Sequence, residues 1–406
     1  MRILHTSDWH LGRSFHGADL TPAFEQWCDY VVDYTKSEKI DALLIAGDVY
    51  DRGIPPVAMV DLLSDTLARL LDHTHVVMTS GNHDSPRRLG FASALLRRSL
   101  SIRTDPRICG QAVEIPDSEG NTGAFVYALP YLDPDVERRR LSSDPEQALA
   151  RSHEAVMTAA MARVYGDISA HSSSQTVPRL AMAHAFVVGG EPSDSEQDLH
   201  IGGVDSVPSG VFAPPEGVQP LDYIALGHLH GPQKIGSDTR PLMRYSGSPI
   251  AFSFSEQHHH KSSVLLDFSA RHASAQAQDA SCGFGVELVP APVFRKLATL
   301  QDNFENLMSD RYLSYADHYL RIIITDDERP QNLVARLRKL FPHLVEVRHE
   351  LAMEQVKAQH IATKRQDPLE VIAGFFEASG GRKLNAAEMA YVQHVWSEQG
   401  KGAELQ

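Results

Sequence analysis

The sequence predicts an α/β fold whose strands end in metal-type side chains, and three observations carry that reading. Short, nearly all-apolar runs such as Asp41-Ala-Leu-Leu-Ile-Ala46 suit strands buried on both faces. Stretches of helical period separate them, so the N-terminal part reads strand–helix–strand–helix–strand. Each strand then runs into a polar turn at its C-terminal end, where α/β sheets place their sites.

The chain opens on the strand Arg2-Ile-Leu-His-Thr6, and the turn after it carries Asp8 and His10. Side chains two apart in an extended segment project to the same side, so this carboxylate and imidazole can reach one point. Residues 21–39 read as an amphipathic helix, and the strand 41–46 ends in Gly47-Asp-Val-Tyr-Asp-Arg-Gly53. A helix starts at Pro56, with proline in its first turn. The strand His75-Val-Val-Met-Thr79 ends in Ser80-Gly-Asn-His-Asp84. Short strands are expected within 99–131, a helix over about 145–165 and a polar loop over 169–177. The strand Arg179-Leu-Ala-Met-Ala-His184 ends in histidine, and residues 189–220, rich in Gly, Pro, Ser and Asp, form a long loop. Leu221-Asp-Tyr-Ile-Ala-Leu226 leads into Gly227-His-Leu-His230, and further strands are expected at 242–245 and 263–268.

From Val293 the character changes. A helix over 298–309, a strand over 318–324, a helix over 331–340 and a strand over 343–348 make a compact α/β unit without a metal-type cluster. Residues 351–366 are polar and linker-like. Two amphipathic helices follow, opened by the capping boxes Asp367-Pro-Leu-Glu370 and Asn385-Ala-Ala-Glu388.

Composition narrows the class. At 406 residues the chain holds more than one domain, and no apolar tract is long enough to cross a membrane. The N-terminus lacks the basic and apolar regions of a secretory leader. Cys28, Cys109 and Cys282 lie far apart without CxxC spacing, which argues against a disulfide framework or thiolate zinc site and fits a reducing cytoplasm. A net charge of −14 is not the footprint of a protein that grips nucleic acid unaided. A phosphate-bearing substrate would be met through bound cations, local basic patches or a partner.

Collected, the strand-end residues are Asp8, His10, Asp48, Asn82, His83, His184, His228 and His230. Singly each has an ordinary reading; a histidine closing a strand is commonly a buried, hydrogen-bonded core residue. Together they are a constellation. Carboxylates, an amide and imidazoles without a thiolate suit Mn²⁺, Fe²⁺ or Zn²⁺. The ligand side chains are too many for one ion but suit two sharing a bridging carboxylate. Such a site, with ions roughly 3.5–4 Å apart, clamps a phosphoryl group and activates water. Phosphate ester hydrolysis is the chemistry indicated.

Asp8-x-His10, Gly47-Asp48-x-x-Asp51, Gly81-Asn82-His83-Asp84, His184 and Gly227-His228-x-His230 resemble the five motifs of the calcineurin-like metallophosphoesterases. The opening segment, Tyr223-Ile-Ala-Leu-Gly-His-Leu-His230 and Tyr245-Ser-Gly-Ser-Pro249 resemble more narrowly the SbcD family, nuclease subunits of bacterial SbcC–SbcD DNA repair complexes. The resemblance spans the whole chain. It implies a calcineurin-like β-sandwich flanked by helices over 1–292, a small α/β capping, DNA-binding domain over 293–350, a linker over 351–366 and a helical SbcC-binding region over 367–406. One ion would be held by Asp8, His10, Asp48 and His230, and the second by Asp48, Asn82, His184 and His228, with Mn²⁺ as the expected metal. His83 would act on the leaving oxygen. A histidine in that role needs an orienting partner, for which Asp51 and next Asp84 are the candidates, the ordinary reading of Asp51 being a turn-stabilising carboxylate.

The resemblance further implies Mn²⁺-dependent double-strand exonuclease and single-strand or hairpin endonuclease activity in DNA repair, recombination and replication. It implies an assembly of two SbcC ATPase and two SbcD subunits, the latter pairing through the helix after Pro56, although burial within one subunit explains that helix's apolar faces nearly as well. Arg52 departs from the narrower pattern and gives a motif similar to that of protein phosphatases. It would contact substrate phosphate or be a solvated loop residue, so a phosphoprotein or small-molecule phosphoesterase is the alternative function. A non-enzymatic scaffold would show decayed ligand positions, whereas every one is filled. His258-His-His260 reads as solvated surface, and the pairs and triplet Arg87-Arg88, Arg97-Arg98 and Arg138-Arg-Arg140 are short basic runs able to touch DNA phosphates.

Overall fold

Apolar runs with both faces covered build two six-stranded sheets packed face to face. The computed structural model describes residues 1–96, 99–144, 146–171, 177–196, 206–236, 240–269, 283–350, 384–385 and 388–392. Across the first sheet the strands run Gly285–Pro290, Ser262–Asp267, Arg2–Thr6, Ala42–Ala46, His75–Thr79 and Leu100–Arg103. The last four are mutually parallel, while Ser262–Asp267 runs antiparallel to Arg2–Thr6. Across the second they run Gln233–Ile235, Leu242–Tyr245, Tyr223–Gly227, Arg179–His184, Thr122–Ala128 and Val113–Pro116.

The run 42–46 shows why such a strand is apolar throughout. Leu43 and Ile45 pack outward with Trp27, Val31, Leu63 and Leu70 of the helices Thr21–Ser37 and Val57–Leu70. Ala42, Leu44 and Ala46 point inward and meet Leu180, Met182 and Ala225 of the second sheet. The helix His153–Ala170 covers the outer face of that second sheet through Val156, Ala160 and Val164. Four layers result, helix–sheet–sheet–helix, and the parallel strands of both sheets end at one rim.

At that rim the sheets nearly touch. A Cβ on Gly227 would lie 1.9 Å from the Ala46 carbonyl oxygen, a contact no side chain tolerates. Gly227→Ala is therefore expected to destabilise the fold by about 3 kcal/mol or more, since packed backbone cannot give way. A urea midpoint equal to the parent's would contradict this.

Several expected elements are displaced. The helix expected over 145–165 is His153–Ala170, because the Ser152 hydroxyl accepts from the Ala155 N–H at 3.2 Å and starts it there. The helix expected over 298–309 is instead the strand Leu297–Asp302 followed by the single turn Phe304–Leu307. Ala298 and Leu300 alternate with Thr299 and Gln301, and the strand pairs parallel with Tyr319–Ile324. Leu344–His349 completes this small three-stranded parallel sheet, and the helix Leu333–Leu340 shares its core through Leu320, Ile322 and Leu337. The long loop holds a short strand, Ser206–Val207, beside Phe186–Val187. Gly285–Pro290 and Gln233–Ile235 are strands that the sequence pattern does not announce.

A separate unit takes in residues 325–328 and 350–406. Its described helical residues, 388–392, follow a reciprocal cap in which Asn385 Oδ1 accepts from the Glu388 N–H at 3.0 Å and Glu388 Oε2 accepts from the Asn385 N–H at 2.9 Å. The expected linker, the helix from Asp367, Arg97-Arg98 and Cys282 lie outside the described residues. Among the described residues no helix is long and apolar enough to cross a membrane.

Candidate metal centre

The eight strand-end residues meet where the two sheets close. The turn after Arg2–Thr6 is laced to the turn after Ala42–Ala46: Asp8 N–H donates to the Gly47 carbonyl at 3.1 Å and His10 N–H to that of Asp48 at 2.9 Å. Asp8, His10 and Asp48 take left-handed backbone angles (φ 54°, 46° and 47°), as does His228 (φ 106°). Side chains other than glycine avoid this region, and each such residue costs on the order of 1 kcal/mol. Gly81 makes room for the central carboxylate, because a Cβ there would fall 2.1 Å from Asp48 Oδ1. The His83 N–H donates to that same oxygen at 2.9 Å.

Around Asp48 the nitrogens converge. His184 Nε2 is 3.4 Å and His10 Nε2 3.5 Å from Asp48 Oδ2, and His83 Nε2 stands at 4.0 Å. Asn82 Oδ1 lies 3.0 Å from His184 Nε2 and 3.1 Å from His228 Nδ1. His10 Nε2 and His230 Nε2 face each other at 3.0 Å. Potential ligand atoms of Asp8, His10 and His230 lie within 4.8 Å of one another, as do those of Asp8, Asp48 and His184 and of His10, Asp48 and His83.

This donor set fits a divalent cation on its own chemistry. His184 Nδ1 donates to the Ala46 carbonyl at 2.9 Å, so in the neutral ring Nε2 carries only a lone pair. That lone pair faces Asn82 Oδ1 and Asp48 Oδ2, both acceptors. Acceptors gathered on one point in a buried pocket need a proton or a metal ion between them.

The electrostatics say the same. Burial pushes the Asp48 carboxyl up, but the facing imidazoles of His184, His10 and His83 outweigh it and hold the group ionised. Burial would depress His184, yet the Asp48 carboxylate raises it to about 9, so without a metal a proton stands in for one. Burial and the His184 charge push His228 down to about 3, and burial also lowers His10. Asp8 is raised chiefly by burial, although the Ser7 hydroxyl donates to it at 2.5 Å and the His228 N–H at 3.0 Å. Ser246 Oγ, 2.9 Å from Ser7 Oγ, ties the Ser246-Gly-Ser-Pro249 turn to this support.

The expected partners of His83 are arranged differently. His83 Nδ1 donates at 2.8 Å to the main-chain carbonyl of Asp51, not to its carboxylate. The Asp51 carboxylate lies 3.7 Å from His10 Nδ1 and 3.8 Å from Arg13 Nε instead. Asp84 accepts from the N–H groups of Val49, Tyr50 and Gly81 at 2.9–3.0 Å and so clamps the two turns together, away from His83. Burial and the Asp48 charge raise Asp84 to about 6, against the pull of those three donors. Arg52 is 64% exposed at the rim, 3.9 Å from Asp51.

Behind His230 lies a network that the sequence does not announce. Its Nδ1 meets Ser195 Oγ, which donates to the buried Glu256 carboxylate, itself paired with Lys261. Glu196 accepts from the His230 N–H at 2.7 Å, and Lys261 donates to the His230 carbonyl at 2.8 Å. Ser195 and Glu196 sit in a segment without metal-type spacing, and Glu256 and Lys261 flank the histidine run that the sequence reads as solvated surface, so no local pattern assigns them this role. His258 and His260 are exposed as the sequence reading expects, whereas His259 is half-buried against this network, its N–H donating to the Glu256 carbonyl at 2.9 Å.

Residues 1–232, which hold every residue of this constellation, match the calcineurin-like phosphoesterase family. The chain is 30% identical over 394 residues to the SbcD subunit of nuclease SbcCD from Bacillus subtilis (strain 168), covering 96% of each. It is a calcineurin-like phosphoesterase of the SbcD family. The SbcD subunit from Escherichia coli (strain K12) is 28% identical, with 98% of this chain and 97% of that protein covered. The Staphylococcus epidermidis protein of the same name is 25% identical, with 98% of each covered. Residues 293–379 match the type 5 capsule protein repressor C-terminal domain family, which is the part of this phosphoesterase that follows the two sheets. A solved family 1 b-glucosidase from Thermotoga maritima aligns with a TM-score of only 0.18 at 12% identity, covering 86% of this chain and 83% of that one.

Proposed function

We propose that this phosphoesterase hydrolyses DNA phosphodiesters with two Mn²⁺ ions, as the nuclease subunit of an ATP-dependent complex with SbcC. The observation that carries the reading is the convergence on Asp48 of imidazole, amide and carboxylate groups from both sheets, in a chain similar over nearly its whole length to SbcD nuclease subunits. Asp8, His10, Asp48 and His230 would hold one ion and Asp48, Asn82, His184 and His228 the other. Bound there, the ions would polarise the phosphoryl oxygens and activate water.

The chain's own groups supply the rest. His83, with Nδ1 committed to the Asp51 carbonyl, presents Nε2 toward the site and protonates the leaving oxygen. Asp51 acts in this reading through its carbonyl, and its carboxylate steadies His10. Arg52, exposed at the rim, contacts a flanking phosphate. With a net charge of −14, the chain relies on the ions and on SbcC to hold DNA, and its activities include double-strand exonuclease and single-strand or hairpin endonuclease cutting in the cytoplasm. Ile54, Val57, Phe91 and Leu95 are 69–85% exposed beside a groove of about 1030 Å³, an apolar patch suited to pairing with a second copy. Residues 293–350 would cap the DNA, and 367–406 would bind SbcC.

The test is hydrolysis of an end-labelled duplex by the pure chain with Mn²⁺, with and without SbcC and ATP, beside a phosphoprotein substrate. Cleavage of DNA that requires Mn²⁺ and rises with SbcC and ATP is the expected result. Turnover of the phosphoprotein with DNA intact would overturn it. Mass measurement of the mixed subunits reads the assembly: two copies of each are expected, and SbcC retained after deletion of residues 367–406 would refute the tail's role.

A further inference from the structure

We propose that Ser195 and Glu256 are positioning residues, a hydroxyl and a carboxylate in series that hold the His230 ring with Nε2 turned toward the metal site. The proposal rests on the reading of His230 as a ligand and adds what fixes it. His230 Nδ1 is 2.5 Å from Ser195 Oγ, and the Ser195 hydroxyl donates to Glu256 Oε1. A hydroxyl has one proton to give. Because Ser195 gives it to the carboxylate, it must accept from His230, so the ring proton is held on Nδ1 and the Nε2 lone pair is left for a ligand position. Metal-binding histidines in general gain orientation and basicity from such a partner on the far nitrogen. Here the carboxylate acts through an intervening serine, since Glu256 Oε1 itself stands 3.8 Å from His230 Nδ1.

The support is held from three sides. Glu256 is 1% exposed, and its charge is compensated by Lys261, which also bonds the His230 carbonyl at 2.8 Å and Ser248 Oγ at 2.9 Å. Ser193 Oγ lies 3.0 Å from Ser195 Oγ and donates to Glu196 at 2.8 Å, while Glu196 takes the His230 N–H. Arg13 donates to the Ser195 carbonyl and lies 5.0 Å above the Phe252 ring, which walls off both His10 and His230. The segment 193–196, at the start of the long loop, is thereby a part of the metal centre although it supplies no ligand.

The experiment is calorimetric titration of the metal-free full chain with Mn²⁺, comparing the parent with Ser195→Ala, Ser195→Thr and His230→Ala, each with a thermal melt in the absence of metal. Ser195→Ala should weaken the affected site about 10- to 100-fold, beyond whatever the loss of a donor to the buried Glu256 takes from the metal-free melting temperature, and Ser195→Thr, which keeps the hydroxyl, should restore affinity. A purely structural role would move the melt and leave affinity alone. Ser195→Ala binding like the parent while His230→Ala loses a site would overturn the relay and leave the function intact. His230→Ala binding like the parent would instead overturn the ligand reading, and the relay with it.

Discussion

Replacing Asp48 with asparagine is expected to lower DNA hydrolysis by about 10³-fold or more, the scale seen when a group that stabilises transition-state charge is removed. Asparagine has the same shape, and its Oδ1 can still accept from the His83 N–H, so the turn holds. What disappears is the charge that raises the His184 pKa to about 9 in the metal-free chain and that both ion positions share in the proposed site. Circular dichroism should be unchanged, while calorimetry should show a loss of Mn²⁺ binding at both positions. Retention of a tenth of the activity would remove Asp48 from its bridging role.

His83→Ala separates two roles that geometry alone leaves close together. His83 Nε2 falls within a potential ligand cluster with His10 and Asp48, yet its Nδ1 is fixed on the Asp51 carbonyl like that of a residue aimed at substrate. Acting as an acid, it should leave Mn²⁺ affinity unchanged while turnover falls by about 10²- to 10⁴-fold. A substrate whose leaving group needs no proton, such as a p-nitrophenyl phosphodiester, should lose far less. A matching drop in Mn²⁺ affinity would make His83 a ligand instead.

How much of this is legible in the sequence follows from range. Asp8, His10, Asp48, Asn82, His184, His228 and His230 stand directly after apolar runs, so strand periodicity alone delivers them to one rim. The supports of those residues are another matter. Ser195 meets Glu256 across 61 positions and His230 across 35, and nothing in either neighbourhood marks the pairing. Asp51 is the sequence's candidate for orienting His83, and it does touch that ring, but spacing cannot tell a carbonyl from a carboxylate, and here the main chain does the touching. The strand Leu297–Asp302 reads as helix because Leu297, Leu300 and the later Phe304 also fall at helical spacing; its partner Tyr319–Ile324 decides the matter.

The centre also has a history within each round of synthesis. Asp8, Asp48 and Asn82 belong to the half that leaves the ribosome first, whereas His184, His228 and His230 emerge about 100 to 150 residues later. At about 5–20 residues per second, an early half-site stays open for roughly five to thirty seconds. Its closing partner for the first strand, Ser262–Asp267, arrives later still. During that interval the nascent chain offers carboxylates and imidazoles without the geometry that would choose among ions. On the proposed ligand assignment, the choice among ions is made only once His230 has docked, from those the surroundings then supply.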